Sequence, residues 1–161
     1  MRTVLLTLGL LGLAQRLDAQ GERPDSQRTV RLEVDSLFRA GFSGFEAPVE
    51  RVLTDSTALD SAWARLFPRR HPPQSMPAVN FETSGVILLA LGRRPSTGFH
   101  LFVDSVRVVG SGTEVFYREI APGQGCVVGT AITQPVLLSK ISHPQPPVRF
   151  ARQVQNMNCE H

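Results

Sequence analysis

Two apolar stretches joined by a short polar connection constrain the fold of this chain more than any other feature. Residues 86–91 are all apolar, and a second apolar-rich stretch begins at residue 99. Gly92 and Gly98 flank the connection, and Pro95 lies within it. Because glycine permits positive φ and proline presets φ near about −65°, this order predicts strand, turn, strand, which is a hairpin with a polar tip. Polar tips held by apolar strands are common positions for binding residues.

The chain after residue 79 continues in the same pattern of apolar segments separated by Gly and Pro breaks. We expect tight turns at residues 110–112 and 121–125, and a proline-rich break at residues 143–147. The predicted strands are residues 86–91, 99–109, 113–120, 126–133, 135–141 and 148–154. Strands at this even spacing indicate an antiparallel sheet, a sandwich or a small barrel.

One amphipathic helix is expected at residues 56–67, where apolar side chains recur at helical spacing. Asp55 or Ser56 can cap its start, and Pro68 ends it. Trp63 lies in the middle of the apolar stripe, so we predict that it packs in the core. A lone helix would cover one face or one open end of the sheet. The predicted fold class is therefore mainly β, an antiparallel sheet or β-sandwich-like domain with one covering α-helix.

The first residues have the three-part pattern of a secretory signal peptide. Arg2 precedes an apolar stretch, and the small residue Ala19 marks the expected cleavage point. A short buried helix or a membrane anchor is the alternative, and an anchor is disfavoured because a span needs about 20 apolar residues. We therefore expect an exported protein, periplasmic or extracellular, without a membrane anchor after cleavage.

The domain organisation follows from these segments. Residues 29–38 are ambiguous, because their apolar positions fit both strand and helix spacing. We predict a signal peptide at residues 1–19, a flexible or weakly structured lead-in at 20–44, a single β-domain at 45–156 and a tail at 157–161.

Cys126 and Cys159 are the two cysteines of the chain. In an exported protein such a pair predicts a disulfide, which would hold the tail against the middle of the domain. Closing a loop of this size stabilises the folded state by about 3–4 kcal/mol in the chain-entropy description. A reactive thiol or a metal pair completed by a histidine is the alternative, although no close-spaced ligand motif supports a metal.

Charge and motif content argue against several classes of function. The formal net charge is only +3 and the arginines are scattered, so nucleic acid is not an expected partner. Neither His-x-x-x-His nor Cys-x-x-Cys spacing occurs, and Gly-x-Ser-x-Gly is absent. We expect no catalytic residues, no metal and no cofactor.

Two connections remain as candidate binding sites. The first contains an arginine doublet, two hydroxyls and an aromatic residue, and its members are Arg93, Arg94, Pro95, Ser96, Thr97, Gly98 and Phe99. The second is residues 121–126, which the predicted disulfide would stiffen. Either connection could instead be an ordinary turn, because turns use these residue types for conformational reasons alone.

The same two connections carry a family resemblance. Residues 85–102 contain Leu-Gly-x-Arg-Pro-Ser-Thr-Gly-Phe, and residues 121–128 read Ala-Pro-Gly-Gln-Gly-Cys-Val-Val, followed by Thr-Gln-Pro. In this order and spacing the motifs resemble the PrcB C-terminal domain family over residues 80–142. Phe99 stands where that family usually has tyrosine. The resemblance implies a domain associated with a secreted protease complex, in a family whose members are not known as catalysts.

The Pro-Ser-Thr-Gly-Phe turn is also similar to the Pro-Thr-Thr-Gly-Tyr loop of chagasin-type cysteine-protease inhibitors, which are β-sandwiches. That second likeness covers one loop and would make Thr97, Gly98 and Phe99 contacts to a protease cleft.

The function predicted from the sequence is an exported, non-catalytic protein-binding domain. Its partner would be a protein, with a protease as the candidate, and it would act as an accessory subunit or inhibitor through the hairpin loop at residues 93–99. The alternatives are a small envelope enzyme or ligand carrier with a pocket between sheet and helix, and an accessory domain without a specific partner.

Overall fold

The computed structural model describes residues 29–67 and 74–159. The predicted signal peptide and the first part of the predicted lead-in lie outside these residues. Within the described part of the chain, no helix is long and apolar enough to cross a membrane.

Eight strands and one helix make up the described residues. Their bounds are β1 Thr29–Leu32, β2 Val34–Ala40, β3 Pro48–Leu53, α1 Ser56–Leu66, β4 Ser84–Leu91, β5 His100–Val109, β6 Gly112–Pro122, β7 Val136–Ser142 and β8 Val148–Met157. The strands form two four-stranded sheets, in the order β1-β5-β6-β8 and β2-β7-β4-β3. All neighbouring strands are antiparallel except β6 and β8, which run parallel. The predicted fold class is confirmed.

The sheet containing β4 is the central layer of the domain. Alternate residues of β4, Val86, Leu88 and Ala90, pack in the cluster that includes α1. Ile87 and Leu89 point the other way, into the cluster shared with β5 and β6. A strand covered on both faces needs apolar side chains at every position, which explains the uninterrupted run in the sequence. We call this layer the central sheet and the β1-β5-β6-β8 layer the outer sheet.

Helix α1 forms where its sequence pattern predicts it. The side chain of Asp55 caps the helix by accepting a hydrogen bond from the Ala58 amide at 2.8 Å. Trp63 is buried, as predicted, and its indole N–H donates to the carbonyl of Gln74 at 2.8 Å. The rings of Phe38 and Phe67 meet the indole edge-on. The helix therefore covers the outward face of the central sheet.

The predicted hairpin between β4 and β5 is wrong. Both neighbours of β4 in the central sheet are already present, β3 on one side and β7 on the other, so β5 has no edge of β4 to pair with. The chain instead crosses to the outer sheet through residues 92–99, which we call the arch. Gly92 and Gly98 have φ of +70° and +93°, as the turn chemistry predicts. Local sequence indicates where strands end, but not which sheet the next strand joins.

Two further segments differ from their sequence interpretation. Residues 126–133 form no strand, and only Thr133 makes a β-bridge, to Arg94. We call residues 126–134 the cross-segment. Residues 29–40, assigned above to a weakly structured lead-in, contain β1 and β2, which belong to different sheets. The change of sheet at Glu33 explains why this stretch shows no single clear periodicity.

The predicted disulfide is present. Cys126 and Cys159 are joined, with their Cα atoms 5.0 Å apart. The bond links the chain just after β6 to the chain just after β8, at the same end of the parallel pair. It therefore holds the start of the cross-segment against the outer sheet.

Candidate functional site

The arch and the cross-segment lie against each other at one end of the sandwich. The backbones of Arg94 and Thr133 exchange two hydrogen bonds of 2.8 and 3.0 Å. The Thr97 amide donates to the Gly129 carbonyl at 3.0 Å, and the Gly129 amide donates to Thr97 Oγ1 at 2.7 Å. Thr133 Oγ1 donates to the carbonyl of Ser96 at 2.8 Å. These bonds tie residues far apart in sequence into one surface, which we call the arch end.

A buried carboxylate anchors the arch to the outer sheet. Glu119 on β6 is only 4% exposed and accepts hydrogen bonds from Arg94 Nη2 at 3.1 and 3.3 Å. Arg152 on β8 pairs with the same carboxylate. Arg94 also donates from Nη1 to the Leu91 carbonyl at 2.9 Å. The guanidinium of Arg94, one of the predicted binding residues, is therefore already bonded to a buried carboxylate within the domain.

Arg93 lies at the surface of the arch. Its guanidinium is 3.1 Å from a carboxylate oxygen of Glu46, and both side chains are exposed. An exposed ion pair of this kind contributes about 0–1 kcal/mol, so a partner's carboxylate can compete for Arg93. Pro95 is also exposed, and both residues are available for contact with a partner.

The second half of the arch supports its shape. Phe99 is half-buried and packs against the cluster between the sheets. Thr97 is half-buried, and its hydroxyl is used by Gly129. A Cβ at Gly98 would lie 3.1 Å from Val128, in addition to the strain of its positive φ. These residues hold the arch in position, and they are less exposed than Arg93 and Pro95.

The predicted turn at residues 121–126 packs on the end of β8. A Cβ on Gly123 would lie 2.2 Å from the Met157 carbonyl oxygen. At that distance no side chain fits unless the backbone moves. The glycine is therefore required by close approach of two backbones. The Cys126 amide donates back to the Gly123 carbonyl and closes the turn.

Exposed apolar residues at the arch end were not identified from the sequence. Val127 on the cross-segment is 91% exposed, the highest value among the large apolar side chains that the structure describes. Ile132 on the same segment and Phe42, after β2, are also exposed. The backbone amide of Gln134 donates to the Gly41 carbonyl, which brings the turn at Phe42 to the same end of the sandwich. Because residues 126–133 were predicted as a strand, the exposure of Val127 was not expected.

The described residues line several open cavities, of which one adjoins the arch and two lie elsewhere. One of about 310 Å³ is bounded by the arch and the Phe42 turn. A second, of about 310 Å³, lies between β3 and α1 and is lined by Val49, Ala62 and Arg65. A third, of about 510 Å³, lies between β2 and β5. In residues 29–67 and 74–159, no three His, Cys, Asp or Glu side chains converge as metal ligands.

A second polar contact links the two sheets. The Tyr117 hydroxyl on β6 donates a hydrogen bond to the Glu50 carboxylate on β3. Burial raises the pKa of Tyr117 well above its usual value, and the neighbouring Glu50 carboxylate raises it further. Tyr117 therefore stays protonated and acts as a donor.

Residues 86–142 match the PrcB C-terminal family model. The resemblance found in the sequence is thereby confirmed, and the matched range runs from β4 through the arch and the cross-segment to the end of β7. No curated protein and no solved structure matches the chain.

Proposed function

We propose that this chain is an exported, non-catalytic domain that binds a protein partner through the arch end. The partner is a protease or another subunit of a protease complex. The family match supports this assignment, because it points to a domain associated with a protease complex. The disulfide is compatible with export.

The exposure of Val127 on a tethered backbone is the observation that carries the proposal. Fully burying a valine side chain contributes about 1.5–3 kcal/mol, and here that surface is left in water. The hydrogen bonds between Thr97 and Gly129 hold the segment in place before any partner arrives. A surface ordered in advance loses less conformational entropy on binding, so more of its contact energy becomes affinity.

The geometry changes the expected roles within the arch. We assign direct contact to Arg93, Pro95 and Val127, whose side chains are exposed. We assign Thr97 and Phe99 to positioning, because one is hydrogen-bonded internally and the other packs in the core. The likeness to the inhibitor loop implies contact with a protease cleft. In this structure that contact would be made by Arg93 and Pro95 rather than by the Phe99 ring.

The proposal is tested by affinity capture from the envelope and culture medium of the producing cell. The baits are the wild-type chain, Val127→Asp and a matched control, Val30→Asp. Val30 is an exposed valine on β1, which pairs with the end of β5 remote from the arch. Thermal midpoints of all three baits establish that each is folded.

We expect a protease or protease-complex subunit to be enriched by the wild type and by Val30→Asp, and lost with Val127→Asp. Enrichment of the same proteins by all three baits, or by none, would contradict the proposal.

A ligand carrier or small enzyme is the second candidate function. The cavity of about 310 Å³ between β3 and α1 lies where that function requires a pocket. Native mass spectrometry of the exported protein distinguishes the two: a bound small molecule released by Ala62→Phe supports the carrier, and an unliganded mass does not.

A further inference from the structure

The edges of the two sheets differ in how they discourage pairing with other strands. An edge strand has a row of free backbone donors and acceptors, and proteins block it with shortness, bulges, proline or charge. Strand β1 has only 4 residues. The pairing of β2 shifts between Ser36 and Phe38. Strand β3 begins at Pro48 and carries Glu50 and Arg51 at its centre.

Strand β8, the remaining edge, has almost none of these features. It is 10 residues long, and its register with β6 continues unbroken from Val148 to Met157. It contains no proline, lysine or acidic residue, and its charged residues are Arg149 and Arg152. Residues 151–157 are all exposed. Its one charged residue on the inner face, Arg152, is paired with Glu119 and does not protect the edge as a lone charge would.

We propose that β8 pairs antiparallel with β8 of a second copy of this chain, which joins two outer sheets into one. This edge adjoins the arch end at Met157, but the pairing does not depend on the function proposed for the arch end. Val148 and Phe150 pack into the core between the sheets, so the even-numbered residues of β8 share the face toward the central sheet, although residues 152, 154 and 156 on that face are exposed. In this arrangement the inner faces of both outer sheets lie on the same side of the joined sheet. Directly opposed residues are then both even-numbered or both odd-numbered, so the two-fold axis lies beside one residue, which faces its own copy.

Charge and length select the register. An axis at Arg152 would place two guanidinium groups opposite each other, and like charges in that position are destabilising. Axes at Ala151 or Val154 leave one end of the strand unpaired. An axis at Gln153 pairs residues 149–157 of both copies.

In that register each arginine faces an uncharged apolar side chain. Arg152 lies opposite Val154 of the second copy, and Arg149 lies opposite Met157. The aliphatic stems of the arginines can cover these side chains while the charged groups stay in water. Gln153 faces itself, and a pair of amides can both donate and accept. The strand is therefore complementary to its own copy.

The test is disulfide crosslinking of the full chain, produced in an oxidising compartment. Gln153→Cys places two thiols at the axis, where Cα atoms about 4.5–5.5 Å apart suit a disulfide. Gln155→Cys is the matched control, with the same substitution on the same face. It lies opposite Ala151, so its two thiols are offset by about 13 Å along the strand. Mass spectrometry verifies that Cys126–Cys159 is intact in both variants.

We expect the wild type to sediment as a dimer, Gln153→Cys to form a covalent dimer, and Gln155→Cys to remain uncrosslinked. A wild type that sediments as a monomer at all concentrations would overturn the proposal. So would a failure of Gln153→Cys to crosslink, or equal crosslinking of the two variants.

Discussion

Replacing Glu119 by glutamine removes the single carboxylate that holds two arginines at the arch end. The carboxylate is 4% exposed and pairs with Arg94 from the arch and Arg152 from β8. Glutamine keeps the shape of the side chain and one acceptor oxygen, but it has no charge and adds two donors. The substitution therefore tests whether the ion pairs, rather than the packing of this residue, stabilise the arch end.

The expected loss can be worked from the exposure of the three groups. Removing one partner of a buried ion pair costs about 3–5 kcal/mol, because the other charge is left without compensation. The side chains of Arg94 and Arg152 are 20% and 40% exposed, so water recovers part of that cost. We expect Glu119→Gln to lower the free energy of unfolding by about 2–3 kcal/mol.

Urea unfolding measures this loss, with fluorescence of Trp63 as the probe, because it is the only tryptophan and lies in the core. Asp104→Asn is the matched control. It makes the same chemical change in an exposed pair with Arg118, where the expected loss is below about 1 kcal/mol. If Glu119→Gln costs no more than Asp104→Asn, the buried carboxylate does not anchor the arch and the reasoning is refuted.

Three further predictions concern the arch, the disulfide and the polar contact between the two sheets. Thr97→Val removes the acceptor for the Gly129 amide and should cost about 0.5–1.5 kcal/mol, whereas Thr97→Ser should cost less; urea midpoints that rank the two variants the other way would contradict this. Cys126→Ser should cost about 3–4 kcal/mol in the same assay, and an unchanged midpoint would show that the crosslink adds nothing. The Tyr117 pKa is raised in the folded state, so its contribution is complete below the unfolded value of about 10 and is lost as pH rises above it. Tyr117→Phe removes the group that titrates beside Glu50, so the variant should lose less stability than the wild type above about pH 10, and parallel losses in both would contradict the assignment.

Helix α1 and most of the strands after residue 79 were predictable from the sequence because their signals are local. The stripe of α1 repeats within a few residues, and Asp55 and Pro68 bracket it. The apolar run of β4 predicts a strand buried on both faces. The glycines of the arch predict its turns, since φ is positive at Gly92 and Gly98.

The arrangement of these elements was not predictable in the same way. Whether β5 pairs with β4 depends on which strands occupy the edges of β4, and those strands come from distant parts of the chain. The cross-segment has the apolar, β-branched composition of a strand, yet its backbone partners lie in the arch rather than in a sheet. The periodicity and composition of a segment indicate which of its side chains can be buried. They do not indicate which segment its backbone pairs with.

The candidate site follows the same division. Residues 93–99 were predicted as the polar tip of a hairpin, whereas they cross from one sheet to the other and only Arg93 and Pro95 among them are exposed. The separation between exposed residues, such as Arg93, and anchored ones, such as Arg94, depends on Glu119, which is 25 residues further along the chain. The exposure of Val127 depends on the failure of its segment to form a strand. Neither the ion pair with Glu119 nor the exposure of Val127 can be recognised from the sequence.

Photocrosslinking in the producing cell tests the central claim most directly. A photoreactive amino acid replaces Val127 in one variant and Val30 in another, and adducts are identified by mass spectrometry after irradiation. The account predicts a covalent adduct between position 127 and a protease or protease-complex subunit, with none at position 30. No adduct at position 127, or the same adducts at both positions, would contradict it.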